Sequence, residues 1–293
     1  MGAFTKASYG VLTLNSASTY QGTTTVAGGD LVVGITNAIP NTALAFTGTS
    51  RLLLITNGVS LEVGSLTETG STNSKIWLYN SSVLTINQES TGSFSSVITS
   101  NGEGSIVKNG AATLTLSGVN TYLGLTTVSA GSLTYGINNA ISTGAVTVNG
   151  STAILALGSY TDSVGAVTLT AGSITGSGTL TSTSASGFTV NPTTGVSVSA
   201  SPILAGSVSL TKSGAGTLTL SGANTYTGAT IINLGTLIIS NAGSLGAGTY
   251  YGALDINSGT FRYNSSVSQI LLGTIIGTIG ILEDPTNKIS YTL

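Results

Sequence analysis

The chain contains no cysteine and no histidine. Without them there is no disulfide framework, no thiol redox site and no cysteine-held zinc, and neither a Ser-His-Asp nor a Cys-His nucleophile can be assembled. Charge is almost as scarce. Seven Lys and Arg and 9 Asp and Glu make up 5% of 293 residues, against roughly 25% in ordinary soluble domains. The net charge is −2 and the basic residues are scattered singly, so no basic stripe exists to displace counterions from nucleic acid. No apolar run reaches the roughly 20 residues of a spanning helix. The longest, residues 270–282 (ILLGTIIGTIGIL), reads as a buried strand and turn rather than a membrane span. The first residues, MGAFTKASYG, lack the basic start, apolar stretch and cleavage site of a signal peptide.

What fills the space left by charge is Gly, Ser, Thr and Asn, beside 40% hydrophobic residues. That apolar content is too high for a disordered chain. The surface is therefore expected to be solvated by hydroxyls and amides. The dominant pattern is a gap-free internal repeat: TKASYGVLTLNSASTYQGTTTVAGGDL from Thr5, VKNGAATLTLSGVNTYLGLTTVSAGSL from Val107 and TKSGAGTLTLSGANTYTGATIINLGTL from Thr211. Within each copy, apolar and hydroxyl residues alternate with period two, as in Thr113-Leu114-Thr115-Leu116, which is the signature of a half-buried strand. No 3.6-residue period survives anywhere. One copy cannot bury its apolar face alone, and stacking coil on coil does so. The pattern predicts a single all-β solenoid over residues 1–293, a parallel β-helix with internal repeats of roughly 100 residues starting near 5, 107 and 211. The rival is an array of immunoglobulin-like sandwiches, which would need linkers between the copies.

The equivalent positions carry their own expectations. Leu12, Leu114 and Leu218, with Leu31, Leu133 and Leu237, should face a core. Gly29, Gly131 and Gly235 should occupy turns with positive φ. Tyr20, Tyr122 and Tyr226 should cover a corner with the hydroxyl wet. Lys6, Lys108 and Lys212 should be exposed turn-edge charges that discourage sideways strand pairing.

The motif K-x-G-x-G-T-L-T-L-x-G-x-N-x-Y-x-G-x-T-x-V-x-x-G-x-L resembles the passenger-associated repeat of autotransporter adhesins, closely over residues 211–237, well over 107–133 and more loosely over 5–31. Tyr9 and Ser18 depart from the pattern in the first copy. The runs Ser93–Ile98 with Gly102–Ile106, and Gly273–Gly280, are similar to the segment that leads into such repeats. The resemblance implies a right-handed parallel β-solenoid exposed outside a cell.

Chemistry is sparse. The acids are mostly isolated. Glu62 and Glu68 are one conceivable pair, and Asp255 with Arg262 is expected as a surface ion pair. Glycoside hydrolysis needs two carboxylates facing each other, so a polysaccharide-active enzyme is the third-ranked reading and no catalytic or cofactor-binding residue is named. Glu283-Asp284 is the sole adjacent acidic pair and the weak candidate for a metal. Asn80, Asn149 and Asn264 match the N-glycan acceptor pattern. Trp77 and Tyr79 are candidates for a lateral contact with a sugar or a partner if they face outward, with core or corner packing as the plainer reading. The first-ranked function is a non-enzymatic extracellular subunit of a cohesive or adhesive surface fibre, stacking head to tail through Phe4, Thr5, Lys6, Ile289, Tyr291 and Leu293. The second is an adhesin passenger stalk contacting glycans or a neighbouring cell.

Overall fold

A computed structural model describes residues 2–70, 73–277, 281–285 and 288–291. It contains two compact units, Met1–Ala145 and Val146–Leu293. In each, short strands pair in parallel with the equivalent strand one coil further along the chain, which is the β-solenoid arrangement. Immunoglobulin-like sandwiches are antiparallel and are thereby excluded. A 3-10 turn at Gly246–Gly248 is the one helical element among the described residues. No helix there is long and apolar enough to cross a membrane.

In the first unit a five-stranded sheet stacks Val11–Leu14, Gly29–Val33, Ser50–Leu54, Lys75–Leu78 and Val97–Ser100. Beside it run a four-stranded sheet, Phe4–Lys6, Thr24–Val26, Ala43–Phe46 and Ser65–Glu68, and a ladder of Ser60–Val63, Val83–Asn87, Ser105–Asn109 and Thr126–Val128. Register sets the coil length. Phe4 pairs with Thr24, Val11 with Asp30 and Leu52 with Ile76, so residues about 20 positions apart in sequence are neighbours in space.

The second unit repeats the scheme. One ladder runs from Val146–Val148 through Val167–Leu169, Phe188–Val190, Leu210–Lys212, Thr230–Ile232 and Leu254–Ile256 to Ile275–Ile276. Another includes Ser197–Ala200, Thr217–Leu220, Thr236–Asn241 and Thr260–Ser265.

The period-two pattern sorts side chains as expected over most of the chain. Val26, Val128 and Ile232, Leu31, Leu133 and Leu237, and Leu114 and Leu218 are all fully buried, each worth about 1.5–3 kcal/mol in removed apolar surface. Leu12 is the exception at 36% exposed. It lies on Val11–Leu14, an edge strand of its sheet, so a neighbouring coil covers it on one side. The apolar run at 270–282 also departs from expectation. It splits into separate short strands, and Ile270, Leu272, Ile275 and Ile276 are exposed while Leu271 is buried; residues 278–280 of that run lie outside the described residues.

The repeat is a set of ties between coils. Lys108 is completely buried, and its ammonium donates to the carbonyls of Asn109, Gly110 and Ala130, each at 2.9 Å. Lys212 donates to Gly214 and to Leu234, and Lys6 to Ser8 and Gly28. Each lysine thus binds its own turn to the turn one coil on. These are not exposed edge charges. A buried ammonium is tolerated because its donors meet a cluster of otherwise orphaned carbonyls. Nor do the tyrosine hydroxyls stay wet. Tyr122 and Tyr226 are fully buried, and the hydroxyls of Tyr20, Tyr122 and Tyr226 pair with Thr24, Thr126 and Thr230, each at 2.6 Å. That bond explains the threonine four residues after each tyrosine.

Asn120 and Asn224 reach in both directions. Each side-chain carbonyl accepts from a backbone N–H one coil back, Ile98 or Leu204, and each amide donates one coil forward, to Ala140 or Ser244. Gly131 sits at φ +59°, where a Cβ would meet the Gly110 carbonyl oxygen at 2.5 Å. Gly29 and Gly235 share that left-handed conformation.

Candidate functional site

The outward positions of strands in this chain are mostly Thr and Ser. The five-stranded sheet of the first unit breaks that rule. One outward row reads Thr13, Val32, Leu53, Trp77, Thr99 in register. The row beside it reads Val11, Asp30, Arg51, Lys75, Val97. At the other side, Ile55 and Tyr79 are 44% and 38% exposed. Past Trp77 the hydroxyl pattern resumes, with Thr121 donating to Thr99 at 2.9 Å.

Trp77 and Tyr79 therefore face outward, as the lateral-contact reading requires, and Trp77 is half-buried. With Arg51, Leu53 and Ile55 they line a groove of about 230 Å³. A second hollow of about 380 Å³ shares Arg51 and is lined by Tyr9, Asp30, Ser50, Asn73 and Lys75. The first hollow is aromatic and aliphatic; the second is polar. Arg51 divides them. Its guanidinium donates to both carboxylate oxygens of Asp30, at 2.6 and 2.5 Å, and Asp30 raises the Arg51 pKa above its ordinary value. The Arg51 side chain is 52% exposed, so the pair adds about 1 kcal/mol or less to stability. The Lys75 ammonium lies 5.8 Å from the centre of the Trp77 ring, within cation–π range.

Asp30, Arg51, Leu53 and Ile55 were not singled out by the sequence. Their signal was the coil offset: Asp30 and Arg51 are 21 residues apart, as the hydrogen bonds between them show, and that spacing is one coil.

The other expected residues are dispersed. Glu62 is exposed on Ser60–Val63, whereas Glu68, on Ser65–Glu68, accepts hydrogen bonds from the N–H and hydroxyl groups of Ser95 and Ser96 at 2.5–2.9 Å. Burial alone would push the Glu68 carboxyl up, but these bonds outweigh it and hold the pKa below its ordinary value. Glu68 acts as a tie between coils. Arg262 does not pair with Asp255 as expected; it faces Glu283 across the register at 3.6 Å, because lateral neighbours lie one coil away rather than seven residues away. Asp284 accepts from the N–H groups of Lys288 and Ile289. Among the described residues no group of three or more acidic side chains is placed to hold a metal ion.

Asn149 and Asn264 are exposed, and the Asn80 amide donates to Asn57. Of the expected end contacts, Thr5 is exposed, Phe4 stacks on Tyr20 at 5.8 Å and Lys6 is buried, its ammonium committed to Ser8 and, one coil on, to Gly28. Ile289 and Tyr291 lie on the strand Ile289–Tyr291, and Leu293 lies outside the described residues.

Stacked parallel coils tied by buried Lys, Asn and Tyr at fixed offsets define a β-solenoid repeat protein. Residues 4–33, 106–134 and 210–239 match the passenger-associated-transport-repeat family, so the chain carries three copies of that repeat. It is 34% identical, over 253 residues, to the adhesin BmaC autotransporter of Brucella suis biovar 1 (strain 1330). That similarity covers 78% of this chain and 7% of the adhesin's length. No solved structure matches the chain.

Proposed function

We propose that this chain is a non-enzymatic segment of an adhesin passenger: a surface-exposed β-solenoid stalk that holds contact faces away from a cell. The observation that carries the reading is the three-fold recurrence of the passenger-associated repeat in a chain similar over most of its length to an autotransporter adhesin. The solenoid suits the role. Its coils are tied by uncharged hydrogen bonds and buried ammonium clips, so stability does not depend on surface ion pairs that salt would screen.

The test is display of the chain on the surface of a non-adherent bacterium, with attachment to epithelial monolayers counted against the same strain displaying an unrelated solenoid. Greater attachment supports the reading, and equal attachment overturns it.

A second reading is head-to-tail stacking into a fibre. It is favoured by the edge strands Phe4–Lys6 and Val11–Leu14, which present unpaired backbone together with the exposed Val11 and Leu12. Edges of this kind template further pairing.

A further inference from the structure

The face around Trp77 concentrates what the rest of the chain lacks. The sole tryptophan, and three of only 16 charged residues, stand on adjacent coils of one sheet. An apolar hollow floored by aromatic rings and a polar hollow lined by charge meet along Arg51. A ligand filling both must be amphipathic on the scale of a few ångströms, with a C–H face for the rings and polar groups for the charged row. A pyranose ring has this division, and a peptide strand would instead need an unpaired sheet edge, which the Lys75–Leu78 strand does not offer because it is paired on both sides.

The charge selects the class of sugar. Arg51 already neutralises Asp30 through two hydrogen bonds. Lys75 makes no ion pair among the described residues; its nearest recorded partner is the Trp77 ring. The face thus holds one uncompensated positive charge beside its stacking platform. We infer that this groove is a binding site for an acidic saccharide, with Trp77 and Tyr79 stacking on the sugar ring, Lys75 pairing with its carboxylate, and the Asp30–Arg51 pair held rigid to hydrogen-bond its hydroxyls. The inference rests on the adhesive reading and gives it a ligand class.

Because Trp77 is the sole tryptophan, its fluorescence reports on this face directly. The experiment titrates the full chain with a hyaluronan hexasaccharide and, in parallel, with its carboxyl-reduced form. The expected result is a saturable change in emission with the acidic hexasaccharide, and binding weaker by about tenfold or more with the reduced one, as for loss of one charge-assisted hydrogen bond. Lys75→Ala should lose the preference between the two. Trp77→Ala, followed by calorimetry, should abolish binding with the circular dichroism spectrum unchanged. Absence of any emission change at millimolar sugar, equal binding of both forms, or binding unaffected by Lys75→Ala overturns the inference. The titration is done in solution, so it fails or succeeds independently of attachment by displayed chain.

Discussion

The ammonium of the buried Lys108 lies 2.9 Å from the carbonyl oxygen of Ala130, 22 residues further on. Lys212 makes the same reach to Leu234. This bond fixes the step from one coil to the next at the point where the chain turns.

Lys212→Met keeps the volume of the side chain but leaves the Gly214 and Leu234 carbonyls without their donor. An unsatisfied buried acceptor costs about 1–3 kcal/mol. A fall of that size in the unfolding free energy from urea titration is expected, while Lys288→Met, at an exposed position, should leave it unchanged within about 0.5 kcal/mol.

Stability should rise and then fall with alkaline pH. Burial pushes Lys108 and Lys212 down to about 8 from 10.5. Above pH 8 the folded chain has released protons that the unfolded chain retains until 10.5, so raising the pH through this window stabilises the fold. Burial pushes Tyr250 up to about 12 from 10.0 and Tyr226 well above 10.0. Above pH 10 the unfolded tyrosines ionise while these two stay protonated, and stability is lost. A urea midpoint that peaks at about pH 10 is the expected profile, with the rising limb removed in the Lys108→Met, Lys212→Met double variant. A midpoint that declines steadily from pH 8 would contradict it.

Gly131→Ala and Gly195→Ala separate two penalties. Both glycines have positive φ, but a Cβ at Gly131 meets carbonyl oxygens of the previous coil whereas a Cβ at Gly195 meets nothing within 4 Å. The Gly195 variant should lose only the left-handed conformational cost, about 1–2 kcal/mol. The Gly131 variant should lose several times more or fail to fold, as read by circular dichroism melting.

Replacing Asn224 by Ala leaves the buried Leu204 N–H without its acceptor, while the Ser244 carbonyl keeps the backbone N–H of residue 224. A loss of about 1–3 kcal/mol is expected. Hydrogen exchange should accelerate first at Leu204, one coil back. Ser18, at the equivalent position in the first copy, makes no such side-chain bond, and there the recorded tie is its backbone N–H to Ala38; Ser18→Ala should be nearly silent.

Much of this architecture was legible because strand alternation is a local signal. Leu114 and Leu116 point in and Thr115 points out, as the four-residue pattern says. The glycine at the left-handed turn was legible for the same reason. The lysines were not. A cation among glycines reads as solvated, and only the fold shows that three turns bring carbonyls to one point. A gap-free recurrence of Lys at the same offset from Gly in a chain so poor in charge was the available hint. Ion pairs failed differently: Arg262 was matched to Asp255 by nearness in sequence, whereas a solenoid makes neighbours of Arg262 and Glu283. The Asp30–Arg51 pair was missed for the same reason. Trp77 was singled out, but its direction depended on register, which alternation alone leaves open until the coil is closed.

The most direct test of the account coats fluorescent beads with the purified chain and measures their retention on epithelial monolayers under flow. The account predicts that wild-type beads are retained well above albumin-coated beads and that Trp77→Ala beads lose most of the gain. Wild-type beads retained no better than albumin-coated ones would contradict the adhesive reading itself.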